Sequence, residues 1–332
     1  MGKAGYAIGL VVHPTRPVRG SVEIITRYAR RHGGRVVARE ADAARVGPGV
    51  ETVAADGFVD AVDAVVSLGG DGTMLGAMRL LVGRRIPILG VNHGNLGFLV
   101  EVRPEGLEAA LDRMVAGEYS VEPHSCLDAE AGGRSFTAFN DVVVTASAQL
   151  RAAVVDLFVN GAAHGYYRGD AVVACTPIGS TAYNYAAGGP VISPSTPSIA
   201  LTPVAPMSGI SRSVIFGDGD GVELRNPGDG EALRFIVDGA SAEPFEPGAA
   251  LRLRLRPEAV HIVRFDADIH LQRNRVKLSL LDLPLRPDQL IELVPPQLRE
   301  RAEQLRRQDD SGPADPPDQV VPALRQQKLD PL

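Results

Sequence analysis

A glycine-rich turn that contains one carboxylate is the strongest chemical signal in this sequence. Gly69-Gly70-Asp71-Gly72-Thr73 follows an apolar run and precedes a helical pattern. Glycines in such a turn let the backbone approach a phosphate closely, and the first N–H groups of the following helix attract an anion. Asp71 would repel that phosphate unless it held a cation or met the attacking hydroxyl. The pentapeptide therefore indicates a phosphate loop in which Asp71 holds a cation or meets the attacking hydroxyl, and a tight turn capped by Asp71 is the alternative.

The pair Asn140-Asp141 is the second candidate for ligand binding. An amide beside a carboxylate at the start of a strand can hold the two hydroxyls of a ribose. An Asx turn that opens the strand is the alternative.

The third candidate is Arg168-Gly169-Asp170 together with Thr176–Asn184, which reads TPIGSTAYN. Its small and hydroxyl side chains can line a flat slot for adenine, with Tyr183 alongside, and Asp170 can accept a hydrogen bond from a base amine or a ribose hydroxyl. The surrounding residues 171–211 carry no charge but many turn residues and prolines, which excludes a membrane helix. Sandwich strands with loops and the lining of a site are both open interpretations of this segment.

Several other functional classes are excluded by what the sequence lacks. GxxxxGK[ST], GxGxxG, the HRD/DFG pair and GxSxG are all missing, which argues against a P-loop protein, a Rossmann dinucleotide site, a protein kinase and a nucleophile elbow. A net charge of -6 does not suggest a nucleic-acid surface. Cys126 and Cys175 have neither disulfide-framework nor zinc spacing, and no signal peptide is evident, so we expect a cytoplasmic protein.

The first third of the chain predicts the scaffold for the glycine-rich turn. Strand and helix patterns alternate there, which is typical of a parallel sheet covered by helices. Ser21 is the expected N-cap of the first helix, and Gly117 ends the last one. The predicted strands are Tyr6–Val12, Arg35–Ala38, Ala61–Leu68 and Ile86–Val91, and the predicted helices are Ser21–Arg31, Thr73–Val82 and Glu105–Ala116.

From about Tyr119 the pattern changes to short β-rich runs at the spacing of a sandwich, with a hairpin signal at Asn160-Gly161. We therefore predict an α/β domain over residues 1–118, a β-sandwich domain over 119–295 and a polar, disordered tail over 296–332. The predicted strands of the second domain are Ser135–Thr145, Ala153–Val159, Ala171–Cys175, Ser198–Thr202, Ser213–Phe216, Val222–Arg225, Leu233–Val237, Leu251–Leu255 and His261–Phe265.

Taken together, the motifs over roughly residues 5–265 resemble those of the NAD kinase family. GGDGT, the later Asn-Asp pair and TPxGSTAYN followed by Gly188-Gly189-Pro190 carry the resemblance. It is extended by Asn92, Asn95-Leu96-Gly97-Phe98-Leu99, Leu201-Thr202-Pro203, Ser211-Arg212-Ser213-Val214-Ile215 and Val237-Asp238-Gly239.

The resemblance implies an α/β domain and a β-sandwich domain, with the active site in the cleft between them, in a homodimer or homotetramer. It implies that Asp71 is catalytic and that Asn140 and Asp141 grip a ribose. The remaining positions that it assigns to substrate binding are Gly72, Phe98, Arg151, Arg168, Asp170, Ile178, Thr181, Ala182, Tyr183, Asn184, Tyr185, Ala186 and Asp238.

The reaction implied by the resemblance is attack of the adenosine-ribose 2′-hydroxyl of NAD on the γ-phosphate of ATP, or of polyphosphate. Mg²⁺, with Asp71 beside it, would neutralise the donor's charge. Ala171, Met207-Ser208 and the stretch 272–283 depart from the family pattern. A specialised nucleoside kinase of the same fold and a non-catalytic NAD-binding regulator are the alternatives.

Overall fold

The computed structural model describes residues 5–94, 99–147 and 151–266. Its first part alternates strands and helices, as the sequence predicts. The elements are β1 (Ala7–Val12), α1 (Arg19–Arg31), β2 (Arg35–Arg39), α2 (Ala43–Val46), β3 (Glu51–Val53), β4 (Ala64–Gly69), α3 (Asp71–Leu80), β5 (Pro87–Asn92) and α4 (Leu107–Ala116).

The five strands β1 to β5 lie parallel in the order β5-β4-β1-β2-β3. All six residues of β1 and of β4 are buried, because helices cover both faces of the sheet. Helices α1 and α4 pack through Ile25 and Leu111 on one face, whereas α3 packs through Met74 and Met78 on the other. No helix in the described ranges is long and apolar enough to span a membrane.

The second part is almost entirely strand. Its elements are β6 (Ser120–Ala131), β7 (Arg134–Ala138), β8 (Asp141–Ala146), β9 (Ala153–Val159), β10 (Ala162–Gly169), β11 (Ala171–Cys175), α5 (Tyr183–Ala186), β12 (Ser198–Val204), β13 (Ser208–Gly209), β14 (Val214–Gly217), β15 (Val222–Arg225), β16 (Leu233–Val237), β17 (Ser241–Phe245) and β18 (Ala250–Arg264).

These strands make two sheets with an apolar core between them, which confirms the predicted fold class. The antiparallel sheet has the order β14-β12-β11-β8-β16-β17. The remaining strands continue the parallel sheet, because β18 pairs parallel with β5 and antiparallel with β6 and β15. The larger sheet therefore runs past the predicted boundary at residue 118. That boundary and the one at 295 stay predictions, and the tail 296–332 lies outside the described residues.

Three predicted elements need correction. Ser21 does not cap α1, which begins at Arg19 after Val18, and its hydroxyl instead hydrogen-bonds His93 Nε2 at 3.1 Å. The two predicted runs near residues 251 and 261 are one strand, β18, with a register shift between Arg256 and Val260. The predicted run 135–145 is two strands, β7 and β8, in different sheets. Strands β3, β6, β10, β13 and β17 were not predicted.

Candidate active site

The glycine-rich turn joins the carboxyl end of β4 to the amino end of α3. Gly70 is the N-cap and Asp71 the first residue of the helix, so Asp71 does not cap it by a side-chain hydrogen bond. Instead, Asp71 Oδ1 accepts a hydrogen bond of 3.0 Å from the backbone N–H of Leu99. Gly69 has no room for a side chain, because a Cβ there would lie 2.1 Å from Thr73 Oγ1. The turn thus presents Asp71 beside the first N–H groups of α3.

A cleft opens beyond the carboxyl ends of β1 and β4. The two strands are parallel neighbours, but the chain leaves β1 towards β2 on one side and leaves β4 towards β5 on the other. Ligands of open α/β sheets bind at such a switch point. The cleft has a volume of about 600 Å³ and is lined by Val11–Pro14, by the start of α3 including Asp71, and by Arg16 and Arg39.

The Asn140-Asp141 pair is held by the carboxylate of Asp238. Its Oδ1 accepts hydrogen bonds from the N–H groups of Asn140 (2.7 Å) and Asp141 (3.0 Å), and its Oδ2 accepts one from Phe139 N–H (2.9 Å). Oδ2 also meets Arg79 Nη2 of α3 at 2.7 Å, and the Asp238 side chain is fully buried. Asp238 therefore holds the backbone of residues 139–141 in place, and its substrate contact stays a prediction.

The TPIGSTAYN segment packs directly against Asn140. Thr176 N–H donates to the carbonyl of Asn140 at 3.0 Å, and the Thr176 hydroxyl donates to that of Phe139. A Cβ on Gly179 would lie 1.9 Å from the Asn140 carbonyl oxygen, so this contact requires glycine. Ile178, Thr181 and Ala182 follow as half-buried positions, and Tyr183 and Ala186 as exposed ones.

Asn184 is fully buried and shapes this segment from inside. Its Nδ2 donates to the carbonyls of Ser180 (3.1 Å) and Pro190 (3.0 Å), and its Oδ1 accepts from the hydroxyl of Thr202 (2.7 Å). These bonds use both hydrogens of Nδ2 and one lone pair of Oδ1, so Asn184 holds this segment in place, and its substrate contact stays a prediction. Tyr185, beside it, stays half-buried.

Arg151, Arg168 and Asp170 lie at the opposite end of β11 from this segment. Asp170 immediately precedes β11 and Thr176 immediately follows it, so five residues of strand, about 17 Å at the usual rise, separate them. Arg168 is exposed on β10, and Arg151 forms an ion pair with Glu231. The described residues tie Asn140 and Asp141, through Asp238 and Arg79, to the last turn of the helix that begins at Asp71, and leave these three residues apart. Phe98 lies outside the described residues.

Two kinds of residue at the candidate site were not predicted from the sequence. Arg79 faces Asp238 across 159 positions of sequence, and no local pattern marks such a pairing. Arg16 lines the cleft from the loop that follows β1, and Arg39 lines it as the last residue of β2. Their positions at the carboxyl ends of neighbouring parallel strands were the one signal that could have found them.

Burial, and after it the neighbouring Asp238 carboxylate, raises the pKa of Asp141 to about 7. An aspartate in the unfolded chain titrates near 3.9. Between these values the folded protein keeps a proton that the unfolded chain has lost, so the free energy of unfolding must fall as the pH rises from about 4 to 7. Asparagine at this position stays neutral throughout.

We therefore expect Asp141→Asn to gain stability relative to the unsubstituted protein between pH 5 and pH 8. Urea unfolding of both proteins at pH 5, 6, 7 and 8 measures this difference. Parallel stability curves over that range would contradict the raised pKa.

Comparison with known proteins identifies related proteins over most of the chain. The ATP-NAD kinase N-terminal domain model matches residues 9–119, and the C-terminal domain model matches residues 139–265. The NAD kinase of Gemmatimonas aurantiaca is 39% identical over 66% of this chain and 78% of its own. That of Symbiobacterium thermophilum is 30% identical over 81% of this chain and 98% of its own.

Two solved structures share the fold. Yeast NADH kinase complexed with NADH has a TM-score of 0.74 at 20% identity, covering 86% of this chain and 90% of its own. An Archaeoglobus fulgidus NAD kinase in complex with ATP has a TM-score of 0.63 at 23% identity, covering 83% and 98%. The domain models and the curated relatives together show that this chain belongs to the NAD kinase family.

Proposed function

We propose that this protein transfers the γ-phosphoryl group of ATP to the 2′-hydroxyl of the adenosine ribose of NAD. The observation that carries the proposal is the link from α3, which begins at Asp71, to Asn140 and Asp141 through Arg79 and Asp238. This link fixes the phosphate loop relative to the predicted ribose-binding pair. Phosphoryl transfer depends mostly on such positioning and on neutralising charge.

In this proposal Asp71 orients or deprotonates the attacking hydroxyl. An aspartate is a weak base for an alcohol, but a loose transition state needs the proton removed only late. Asn140 and Asp141 hold ribose hydroxyls, and the segment Thr181–Ala186 lies along the adenine.

The reaction also requires that the negative charge of the ATP phosphates be neutralised. The described residues contain no cluster of three or more side chains suited to a metal. Mg²⁺ is commonly bound through one or two carboxylates together with substrate phosphates, so Asp71 at the cleft fits an ion that arrives with ATP. Bound there, Mg²⁺ would neutralise the triphosphate. We propose further that the protein is a cytoplasmic homodimer or homotetramer.

A comparison of acceptor substrates tests the proposed function most directly. We expect purified protein with ATP and Mg²⁺ to form NADP from NAD far faster than it phosphorylates the hypoxanthine counterpart, in which a carbonyl replaces the exocyclic amine. An adenine slot that loses a hydrogen bond pays about 1–3 kcal/mol for each polar group left unpaired. Adenosine should also be a much poorer acceptor by kcat/KM, because it lacks the remote binding energy of the nicotinamide half.

ADP release with NAD, NADH, the hypoxanthine analogue and adenosine, each over a range of concentrations, measures these ratios. Efficient use of adenosine with poor use of NAD would replace the proposal with a specialised nucleoside kinase. Tight NAD binding without turnover of any acceptor would indicate a non-catalytic regulator.

A further inference from the structure

The cleft beside Asp71 has the character of a binding site for a phosphate chain. The first hydrogen bond inside α3 joins Met74 N–H to the carbonyl of Gly70. The N–H groups that precede Met74 in the first turn therefore carry the positive end of the helix dipole. The surface over Gly72 is open, because a Cβ there would have no atom within 4 Å. A phosphate can thus come close to this backbone.

A second feature of the cleft also calls for a ligand. The hydroxyl oxygen of Thr73 is buried and has no hydrogen-bond partner among the residues that the structure describes. Thr73 lies in the cleft wall and is 8% exposed. A buried hydroxyl without a partner is costly, and a phosphate oxygen is an acceptor that would satisfy it.

Two arginines face the same cleft and are held in place by other groups. Arg16 Nη1 donates to the carbonyl of His93 at 3.0 Å. Its backbone N–H donates to His13 Nδ1 at 3.0 Å, which tightens the turn after β1. The loop that carries Arg16 is therefore tied both to itself and to the chain that follows β5.

Arg39 is held in place by an ion pair with Asp42. Its Nε and Nη2 contact Oδ2 of Asp42 at 3.0 and 2.8 Å, while Arg45 pairs with the other oxygen. The Asp42 side chain is fully buried. Because Arg39 and Arg45 share this one carboxylate, the three side chains together keep a net positive charge. Arg45 does not line the cleft, whereas Arg39 does. A guanidinium held in this way suits a phosphate, because little of its freedom remains to be lost.

We propose that Arg16 and Arg39 bind the phosphate chain of the donor over the amino end of α3. This inference rests on the proposed function, since it assigns the donor to one cleft of that site. The two cations offset the charge that Asp71 adds to the cleft, and the Thr73 hydroxyl gains its missing acceptor. The acceptor nucleotide would then lie on the side of Asn140 and Asp141.

The kinetic test compares Arg16→Gln, Arg39→Gln and the control Arg45→Gln, which removes the other arginine on Asp42. For each cleft variant we expect the KM for ATP to rise roughly tenfold to a hundredfold, the effect of losing a charge-assisted hydrogen bond. The KM for NAD should stay within about twofold, and Arg45→Gln should leave both constants nearly unchanged. An equal or larger rise in the KM for NAD would overturn the proposal, because the cleft would then hold the acceptor.

A binding test separates this inference from the proposed function. Inorganic tripolyphosphate is titrated into the protein by calorimetry, with Mg²⁺ and without NAD. We expect it to bind the unsubstituted protein, and we expect its affinity for each cleft variant to fall by about the same factor as the KM for ATP rises. Unchanged affinity in both would overturn the inference, even if the protein makes NADP. Lost affinity in both would support it, even if the protein proved unable to phosphorylate NAD.

The Asp42 ion pairs require one more comparison. If Arg45→Gln weakened tripolyphosphate as strongly as Arg39→Gln, Arg39 would act only by holding Asp42, and its assignment would fail. Arg16→Gln leaves Asp42 and both of its partners in place. It therefore decides the proposal even if Arg39→Gln does not fold.

Discussion

Asp71→Asn is expected to lower kcat by about 10²–10⁴, the usual size of a general-base effect, while NAD binding changes little. Asparagine keeps the shape of the side chain, and its oxygen can still accept the hydrogen bond from Leu99 N–H. It cannot take a proton from the attacking hydroxyl. Steady-state rates of NADP formation give kcat, and calorimetric titration with NAD gives the affinity of the same preparation.

Asp63→Asn is the matched control for this substitution. Asp63 directly precedes β4, at the opposite end of the strand from Asp71, and its Oδ2 accepts a hydrogen bond of 2.8 Å from Ala7 N–H. Both carboxylates thus accept from a backbone N–H at an end of one strand, but only Asp71 lines the cleft. If kcat in Asp71→Asn stayed within a few-fold, as it should in Asp63→Asn, Asp71 would be a turn residue and the proposed mechanism would be wrong.

Strands whose own residues form a regular apolar run or alternation could be predicted from the sequence. Ala153–Val159, Ala171–Cys175, Val222–Arg225 and Leu233–Val237 have the bounds that periodicity indicates. The hairpin at Asn160-Gly161 is confirmed as well, since both residues have positive φ (50° and 85°) and connect β9 to β10. Each of these features depends on a few neighbouring residues and on burial.

Elements that depend on distant partners were harder to predict. Strand β6 reads SVEPHSCLDAEA, which has no regular apolar alternation, and it is held as a strand by pairing with β18 along most of its length. The interruption expected within β18 is real at the level of local backbone: Glu258 has a φ of 50°, and the register shifts around it. The partner strand nevertheless continues past this bulge, and no local pattern could indicate that.

In the candidate site, too, local motifs could be predicted from the sequence, whereas contacts between distant residues could not. Motif spacing predicts Asp71, Asn140 and Asp141 as site residues. It did not distinguish side chains that face a ligand from those that hold the backbone, because Asn184 and Asp238 belong to the same motifs. Arg79 lies 159 positions from Asp238, and Thr202 lies 18 positions from Asn184, so these contacts become visible only in the folded chain.

Asp238→Asn is expected to destabilise the protein by about 3–5 kcal/mol, the usual cost of breaking a buried charged pair. Four donors converge on this carboxylate: the N–H groups of Phe139, Asn140 and Asp141, and Arg79 Nη2. An amide has only one acceptor oxygen, so in either orientation its NH₂ group must face donors. Asp238 also has a φ of 46° in the turn before β17, where asparagine is tolerated, so backbone strain does not explain the loss.

Urea unfolding at constant pH measures this change, with Asp220→Asn as the control. Asp220 is another carboxylate in a turn, and it accepts from Asn160 Nδ2 (2.9 Å) and Gly217 N–H (3.0 Å), but both contacts are exposed. Its substitution should cost no more than about 1 kcal/mol, because water can replace the lost bonds. If Asp238→Asn unfolded at the same urea concentration as Asp220→Asn but had lost activity, Asp238 would contact the substrate directly. A large loss of stability in Asp238→Asn alone would instead show that Asp238 holds the Asn140-Asp141 pair in place from behind.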